Sequence, residues 1–220
     1  MIVYKGSNIN NKFKNSVLAI GNFDGVHLGH QKVLQEAKKK AKDKKLKFGV
    51  LTFEPIPVMF FNKNIKNHRI NSLQQKIEFL KKQKIDFLII QKFNINFSKL
   101  TYLDFIQKII YKKLNCKFLF VSKNFKFGKN RKGDIKKLKL LEDKFKYKTV
   151  ITNPCKKGNK IISSTTIRKL ISQGKIEEAN IFLNRSWSIR GKVIEGKKRG
   201  RTIGFPTCNI ELKDYIRPKI

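Results

Sequence analysis

The stretch GNFDGVHLGH, residues 21 to 30, concentrates the side chains of this sequence best suited to chemistry. It holds two of the three histidines, His27 and His30, and three of the 13 glycines, Gly21, Gly25 and Gly29. Imidazole donates a hydrogen bond to a phosphoryl oxygen in either protonation state and adds charge where charge builds up. Glycines at 21 and 25 let the backbone turn tightly and approach an anion without side-chain obstruction. The apolar run SVLAI (16 to 20) predicts a short buried strand before the turn. HQKVLQEAKKKAKDKK predicts a helix after it, with Val33, Leu34 and Ala37 on the inner face. A turn that leads from a strand into a helix start stabilises an anion through free N–H groups and the positive end of the helix dipole. The expected chemistry is displacement at a nucleotide phosphorus, with Gly21, Asn22, Phe23, Asp24 and Gly25 around the phosphates. His27 and His30, three apart at the helix start, would stabilise the transferred group. The competing reading is that the two rings merely cap or fill.

The elements that must position this turn repeat a strand–helix rhythm. KFGVLTF (47 to 53) predicts a strand ended by the prolines of FEPIP; SLQQKIEFLKKQ (72 to 83) a helix capped by Ser72; DFLII (86 to 90) a buried strand. Thr101 and Asp104 form a capping-box-like start for TYLDFIQKIIYKK, followed by strand KFLFV (117 to 121), a helical stretch near 134 to 146 and strand YKTVI (147 to 151). Such alternation predicts an α/β fold, a doubly wound parallel sheet with its ligand crevice at the carboxyl ends of the strands. Ser163, Ser164 and Thr165 supply hydroxyls and free N–H groups at a further helix start, TIRKLISQG; a serine–threonine cap is also common in ordinary helices. Arg168 lies one turn on. In a chain whose 51 basic residues include only 8 arginines, a retained guanidinium suggests a geometric demand such as a planar fork on a triphosphate. Gly174 reads as a plain helix C′ residue.

Composition bounds the rest. The formal net charge of +36 on 220 residues raises nucleic acid as a partner. The 43 lysines are spread over nearly every predicted helix, however, and no nucleic-acid-binding fold is legible, so no specific nucleic-acid role is expected. Cys116, Cys155 and Cys208 have no paired or zinc-type spacing and read as buried or half-buried thiols. The N-terminus lacks an apolar h-region, and no stretch approaches the ~18 to 20 apolar residues of a membrane span, so a cytoplasmic protein without membrane association is expected.

Four segments, in order, carry a family resemblance. GNFDGVHLGH resembles the GxFDGxHxGH signature of the nucleotidylyltransferase (HxGH) superfamily, shared by cytidylyl- and adenylyltransferases. TFEPIP (52 to 57) resembles the TFEPHP segment of the prokaryotic FAD synthetases, VSKNFKFGKNRKGD (121 to 134) their VGxDFxFGxxRxG segment, and ISSTTIRKLISQGKIEEANIFLNR (162 to 185) their ISSTxIRxxLxxGxxxxAxxxLGR run. The resemblance implies FMN adenylyltransferase activity: ATP with Mg²⁺ lies across the turn, FMN attacks the α-phosphorus, and Arg168 grips the phosphates that leave. It places Asn124, Phe125 and Phe127 at the flavin, although two alternating phenylalanines beside a strand serve a core equally well. Three positions depart. Ile56 stands where the family has histidine, Ser122 replaces glycine, and Asn124 replaces the commoner aspartate, so an amide stands where a charge is usual. The rival readings are another HxGH transferase acting on a different phosphate and a basic nucleic-acid binder.

After LNRSW the pattern changes to short β-type runs, WSIRGKVI and TIGFPTCNIEL, joined by the basic link EGKKRGRTIG. They resemble the first hairpin of the riboflavin kinase barrel, whose PTAN element is here PTCN; the resemblance places Thr207 and Asn209 at Mg²⁺ and ATP phosphates, with riboflavin as the kinase substrate. The expected organisation is an adenylyltransferase domain over 1–183 and an incomplete kinase domain over 184–220. A barrel needs about six strands. The carboxylate that would activate riboflavin falls past residue 220, so kinase activity is not expected of the chain as given, whether it is a fragment or a natural truncation.

Overall fold

A computed structural model describes residues 1–196, 199–202 and 204–219. One sheet holds β1 (Ile2–Lys5), β2 (Val17–Ile20), β3 (Phe48–Glu54), β4 (Phe87–Lys92), β5 (Phe118–Ser122) and β6 (Lys148–Thr152), in the spatial order β1-β4-β3-β2-β5-β6. All its pairings are parallel. From β2 the chain builds outward to β3 and β4, then returns to the far side of β2 for β5 and β6. Val17 therefore pairs with Phe48 on one side and Phe118 on the other. The direction of winding reverses between β2 and β5, which makes their carboxyl ends the place for a ligand crevice.

Because side chains alternate along a strand, each central strand feeds two cores. Val17 and Ala19 join Val33, Leu34, Ala37 and Ala41 of α1 (Leu28–Asp43) on one face. Leu18 and Ile20 face the opposite layer, made by Phe105, Ile106, Ile109 and Ile110. Between β3 and β4 lie α2 (Pro57–Phe61) and α3 (Leu73–Lys82), the latter opened by a capping box between Ser72 and Gln75. After α4 (Ile95–Ser98), Thr101 and Asp104 cap α5 (Tyr102–Asp104) as expected, but the helix continues as a π-helix over Phe105–Leu114. Apolar spacing cannot separate that variant from an ordinary helix. Next come α6 (Ile135–Leu140) and α7 (Glu142–Phe145), the ribbon β7 (Lys156–Lys157) with β8 (Lys160–Ile161), and then α8 (Ser164–Ser172) and α9 (Ile176–Leu183). Gly174 follows α8 at φ 75°, the expected left-handed stop.

The sequence reading lacks β1. Its four residues are mostly exposed at the sheet edge, so no buried run announces it. In the C-terminal portion, the described residues hold β9 (Val193–Ile194), α10 (Arg199–Thr202) and β10 (Asn209–Ile210), with β9 and β10 antiparallel. Lys197, Lys198 and Ile203 of the basic link, and Ile220, lie outside the described residues. The portion also packs onto the sheet domain: Tyr215 is buried, Arg69 N donates to Asp214 O at 2.7 Å, and Ile216 N donates to Arg69 O at 2.8 Å. Of the cysteines, Cys116 is buried and Cys155 half-buried, but Cys208 is exposed in the turn before β10.

Candidate active site

The GNFDGVHLGH turn sits at the carboxyl end of β2 and is wound tightly: Phe23, Gly25 and Val26 have φ values of 47°, 87° and 39°. Glycine adopts this conformation freely, whereas a β-branched valine does so only when its surroundings enforce it. Those surroundings come from distant segments. Thr52 Oγ1 donates to Asn22 O at 3.0 Å, Ser164 Oγ to Asp24 O at 2.8 Å, Arg185 Nη2 to Gly25 O at 2.6 Å, and Gln31 Nε2 to Val26 O at 2.9 Å. A trans peptide points its N–H opposite to its carbonyl. Fixing the carbonyls of residues 22, 24 and 26 therefore turns the N–H groups of 23, 25 and 27 away from those donors.

Asp24, 1% exposed, is the anchor below the turn. Its carboxylate accepts from the Ile70 N–H at 3.2 Å and from Arg168 Nη2 at 2.6 Å, while Arg168 Nε donates to His68 O at 2.7 Å. Arg168 is thus committed to a buried carboxylate and a carbonyl. The guanidinium expected at the triphosphate is bonded within the protein through Nε and Nη2, and Asp24, expected among the phosphate contacts, has it as counter-charge, since a buried carboxylate must be paired. Thr165 is exposed, and neither it nor Asp24, Gly25 or Arg168 lines the cavity described below.

His27 caps α1, its Nδ1 accepting the His30 N–H at 3.3 Å, so its neutral form carries the proton on Nε2. The two imidazoles stack with centroids 3.7 Å apart, and His30 also meets Phe23 at 5.1 Å. Burial, with Arg168 and Arg185 nearby, lowers the His27 pKa to about 3. Burial, then His27 and the surrounding cations, holds His30 well below its usual value. Both rings are therefore neutral donors at physiological pH, not the chargeable groups that the sequence suggests. His30 Nδ1 is buried without a partner among the described residues. Gly29 is the third glycine with a reason: a Cβ there would meet the His27 ring and Ile162 O, each at 3.1 Å.

Above the turn lies a cavity of about 870 Å³. Its lining includes residues of the turn and the α8 start, Gly21, Asn22, Phe23, His27, Gly29, His30, Ser163 and Ser164. It also includes the phenylalanines Phe53, Phe61, Phe93, Phe97, Phe105, Phe125 and Phe127. Asn124, Phe125 and Phe127 line the same cavity as the histidines. Phe127 is 8% exposed and belongs to the core as well, whereas Phe125 is half-buried and stacks on it at 5.4 Å with an interplanar angle of 18°. Ile56 is 1% exposed and absent from the cavity wall, so the departure from histidine falls in the interior. Thr207 and Asn209 line a second cavity of about 340 Å³ with Glu195. Their oxygen donors suit a hard cation.

Sequence reading missed Arg185, the 68–71 loop and the cavity phenylalanines Phe53, Phe61, Phe93, Phe97 and Phe105. Arg185 was within reach of the argument applied to Arg168, since it too is an arginine kept in a lysine-rich chain.

Fold and site together define a doubly wound α/β protein whose glycine–histidine turn follows its first central strand and borders a cavity at the carboxyl end of the sheet. Residues 9–166 match the family model described as FAD synthetase, and residues 183–220 match that described as riboflavin kinase. The chain is 42% identical over 203 residues to a protein of Buchnera aphidicola subsp. Schizaphis graminum named bifunctional riboflavin kinase/FMN adenylyltransferase, covering 92% of this chain and 65% of that one. It is 37% identical to the protein so named in Haemophilus influenzae, covering 96% of this chain and 68% of that one. The chain thus spans about two thirds of the length of these relatives. Among solved structures, it is similar to one named macrolide-efflux protein from Streptococcus pneumoniae, with TM-score 0.82, 29% identity, and coverage of 99% of this chain and 71% of that one. A pantoate-beta-alanine ligase from Francisella tularensis, at 17% identity and TM-score 0.51 over 84% of this chain and 78% of that one, shares the fold. The chain belongs to the FAD synthetase family.

Proposed function

We propose that the protein is an FMN adenylyltransferase that makes FAD from ATP and FMN. An FMN phosphate oxygen forms a bond to the α-phosphorus of ATP, the bond from that phosphorus to the bridging oxygen of the β-phosphate breaks in line, and pyrophosphate leaves with the electron pair. No side chain becomes covalently attached; alignment and charge stabilisation carry the rate. His27 Nε2–H and His30 are the donors to the α-phosphoryl oxygens, and Ser163 and Ser164 border the phosphates at the α8 start. Arg168 and Asp24 act beneath, holding the turn in shape. The observation that carries the reading is one cavity lined by the neutral histidine pair and its turn together with the stacked phenylalanines Phe125 and Phe127.

Magnesium belongs to the proposal as the usual companion of the triphosphate. Among the described residues no carboxylate lines the main cavity, and no cluster of three or more His, Cys, Asp or Glu side chains could hold a metal. The ion would arrive on substrate phosphates and water, and no step is assigned to it. Thr207 and Asn209 would hold it for a riboflavin kinase step in the longer relatives, with 1–183 and 184–220 as the respective domains. Among the described residues no helix is long and apolar enough to cross a membrane. The proposal includes a cytoplasmic location, with ATP, FMN and riboflavin as partners and no specific nucleic acid.

Incubation with ATP, Mg²⁺ and either FMN or riboflavin, with the flavins resolved by chromatography, tests the reading. FAD formed from FMN supports it. No FAD, with ATP consumed on another phosphate acceptor, favours a different HxGH transferase.

A further inference from the structure

Lys76, on α3, is a buried cation that the adenylyl transfer described above does not use. It is 0% exposed, and among the described residues no other lysine is buried. Leu80, four residues on and so on the same face of the helix, packs in one cluster with Phe23 and Val26 of the turn and Val33 of α1. The Lys76 ammonium has no hydrogen-bond partner among the described residues. Glu54 Oε2 is 3.8 Å away, beyond hydrogen-bond reach, and both Glu54 oxygens already accept from Arg69. The Asp24 carboxylate is held by Arg168.

Such a residue burdens the fold. Burial lowers its pKa and Arg69 acts in the same direction, while Glu54 and Asp24 favour the charged form. Its position near the N-terminus of α3, the positive end of the helix dipole, adds to the cost. A methionine of similar length would fill the space with no orphaned donor, and exchanging buried ionic groups for well-packed apolar ones is often neutral or stabilising. Beneath the turn, Arg69, Lys76, Arg168 and Arg185 face the carboxylates of Glu54 and Asp24, with the exposed Asp214 reaching only Arg69. Positive charge is therefore in surplus where His30 sits. Burial first, then the charges of His27, Lys76, Arg168 and Arg185, oppose protonation of that ring.

Resting on the reading of the cavity as an adenylyl-transfer site, we infer that Lys76 is a positioning residue for the reaction: its buried, under-compensated charge acts through His30 and the turn to favour the negative charge of the α-phosphoryl group as it is transferred. Lys76 does not line the cavity and touches no substrate. A fixed cation in a water-excluded interior acts at longer range than one in water and needs no reorganisation as charge moves. The residue is kept for the reaction at the expense of stability.

FAD formation at saturating ATP and FMN, beside thermal melting and FMN affinity, tests this on the whole chain and on K76M and K76Q. K76M lowers kcat on the order of tenfold, leaves FMN affinity unchanged, and melts with the unaltered protein or above it. K76Q, which keeps hydrogen-bond donors without the charge, slows turnover to the same degree. A merely structural lysine gives the reverse pattern, a lower melting midpoint with kcat preserved. Unaltered kcat in K76M, kcat lost together with a lowered midpoint, or kcat recovered in K76Q overturns the inference while the functional reading stands. Failure of the unaltered protein to form FAD overturns both.

Discussion

His27 and His30 give the residue scale its sharpest consequence, because their burial ties pH to stability and catalysis in opposite ways. The unfolded chain takes up protons on both rings below their ordinary value near 6.5, whereas folded His27 resists until about pH 3 and His30 is lowered in the same direction. The stability they contribute is complete above 6.5 and is lost as pH falls, by about 2 kcal/mol for His27 on reaching about pH 5. Urea midpoints across that range should fall, and less steeply in His27→Gln. Catalysis behaves differently: rings already neutral give kcat/KM no histidine inflection near 6.5, and a pH–rate break there that disappears with His27 would contradict neutral donors. The histidines themselves were legible because their spacing is conspicuous in a chain poor in histidine. Their charge state was not, since it depends first on burial by the tertiary fold and then on cations such as Arg168 and Arg185, more than a hundred residues away.

At the scale of elements, the turn is an assembly point for β2, α1, the 68–71 loop, α8 and the segment after α9. Asp24→Asn leaves the half-buried Arg168 guanidinium without its counter-charge; truncating one partner of a fully buried pair costs about 3–5 kcal/mol, and the loss here should fall below that range because the Arg168 side chain is 17% exposed. The double variant with Arg168→Met should lose clearly less than the sum of the single losses, because the partners share one network; additive losses in chemical denaturation would show the pair uncoupled. The strands and long helices here could be read from continuous apolar runs and caps such as Ser72, Thr101 and Ser163. β1 could not, having four residues at an exposed edge, and neither could the π-helical geometry after Asp104. Arg185 escaped because its acceptors, the Gly25 carbonyl and the Asn71 side chain, are brought to it only by the tertiary fold.

For the whole molecule, the boundary expected at residues 183 and 184 cuts through contacts that support the turn. Beyond it lie Arg185, whose pKa burial lowers to about 10 and which remains charged at neutral pH, and Trp187, whose indole N–H donates to Ile70 O at 3.0 Å. Tyr215 adds a hydroxyl donating to Gln75 Oε1 at 2.7 Å. Removing residues 184–220 should therefore lower the melting midpoint by several degrees, at roughly 2–4 °C per kcal/mol for a domain of this size. A shortened chain that melts with the original would show that the two portions fold independently.

The central claim is that the glycine–histidine turn holds the α-phosphate during adenylyl transfer. Turnover of ATP and FMN to FAD by His30→Ala, measured at saturating substrates beside its FMN affinity, tests it most directly. The account predicts a fall of at least ~10²-fold with FMN binding largely intact, the loss of one charge-stabilising donor. Near-normal turnover would remove His30 from the reaction and contradict the account.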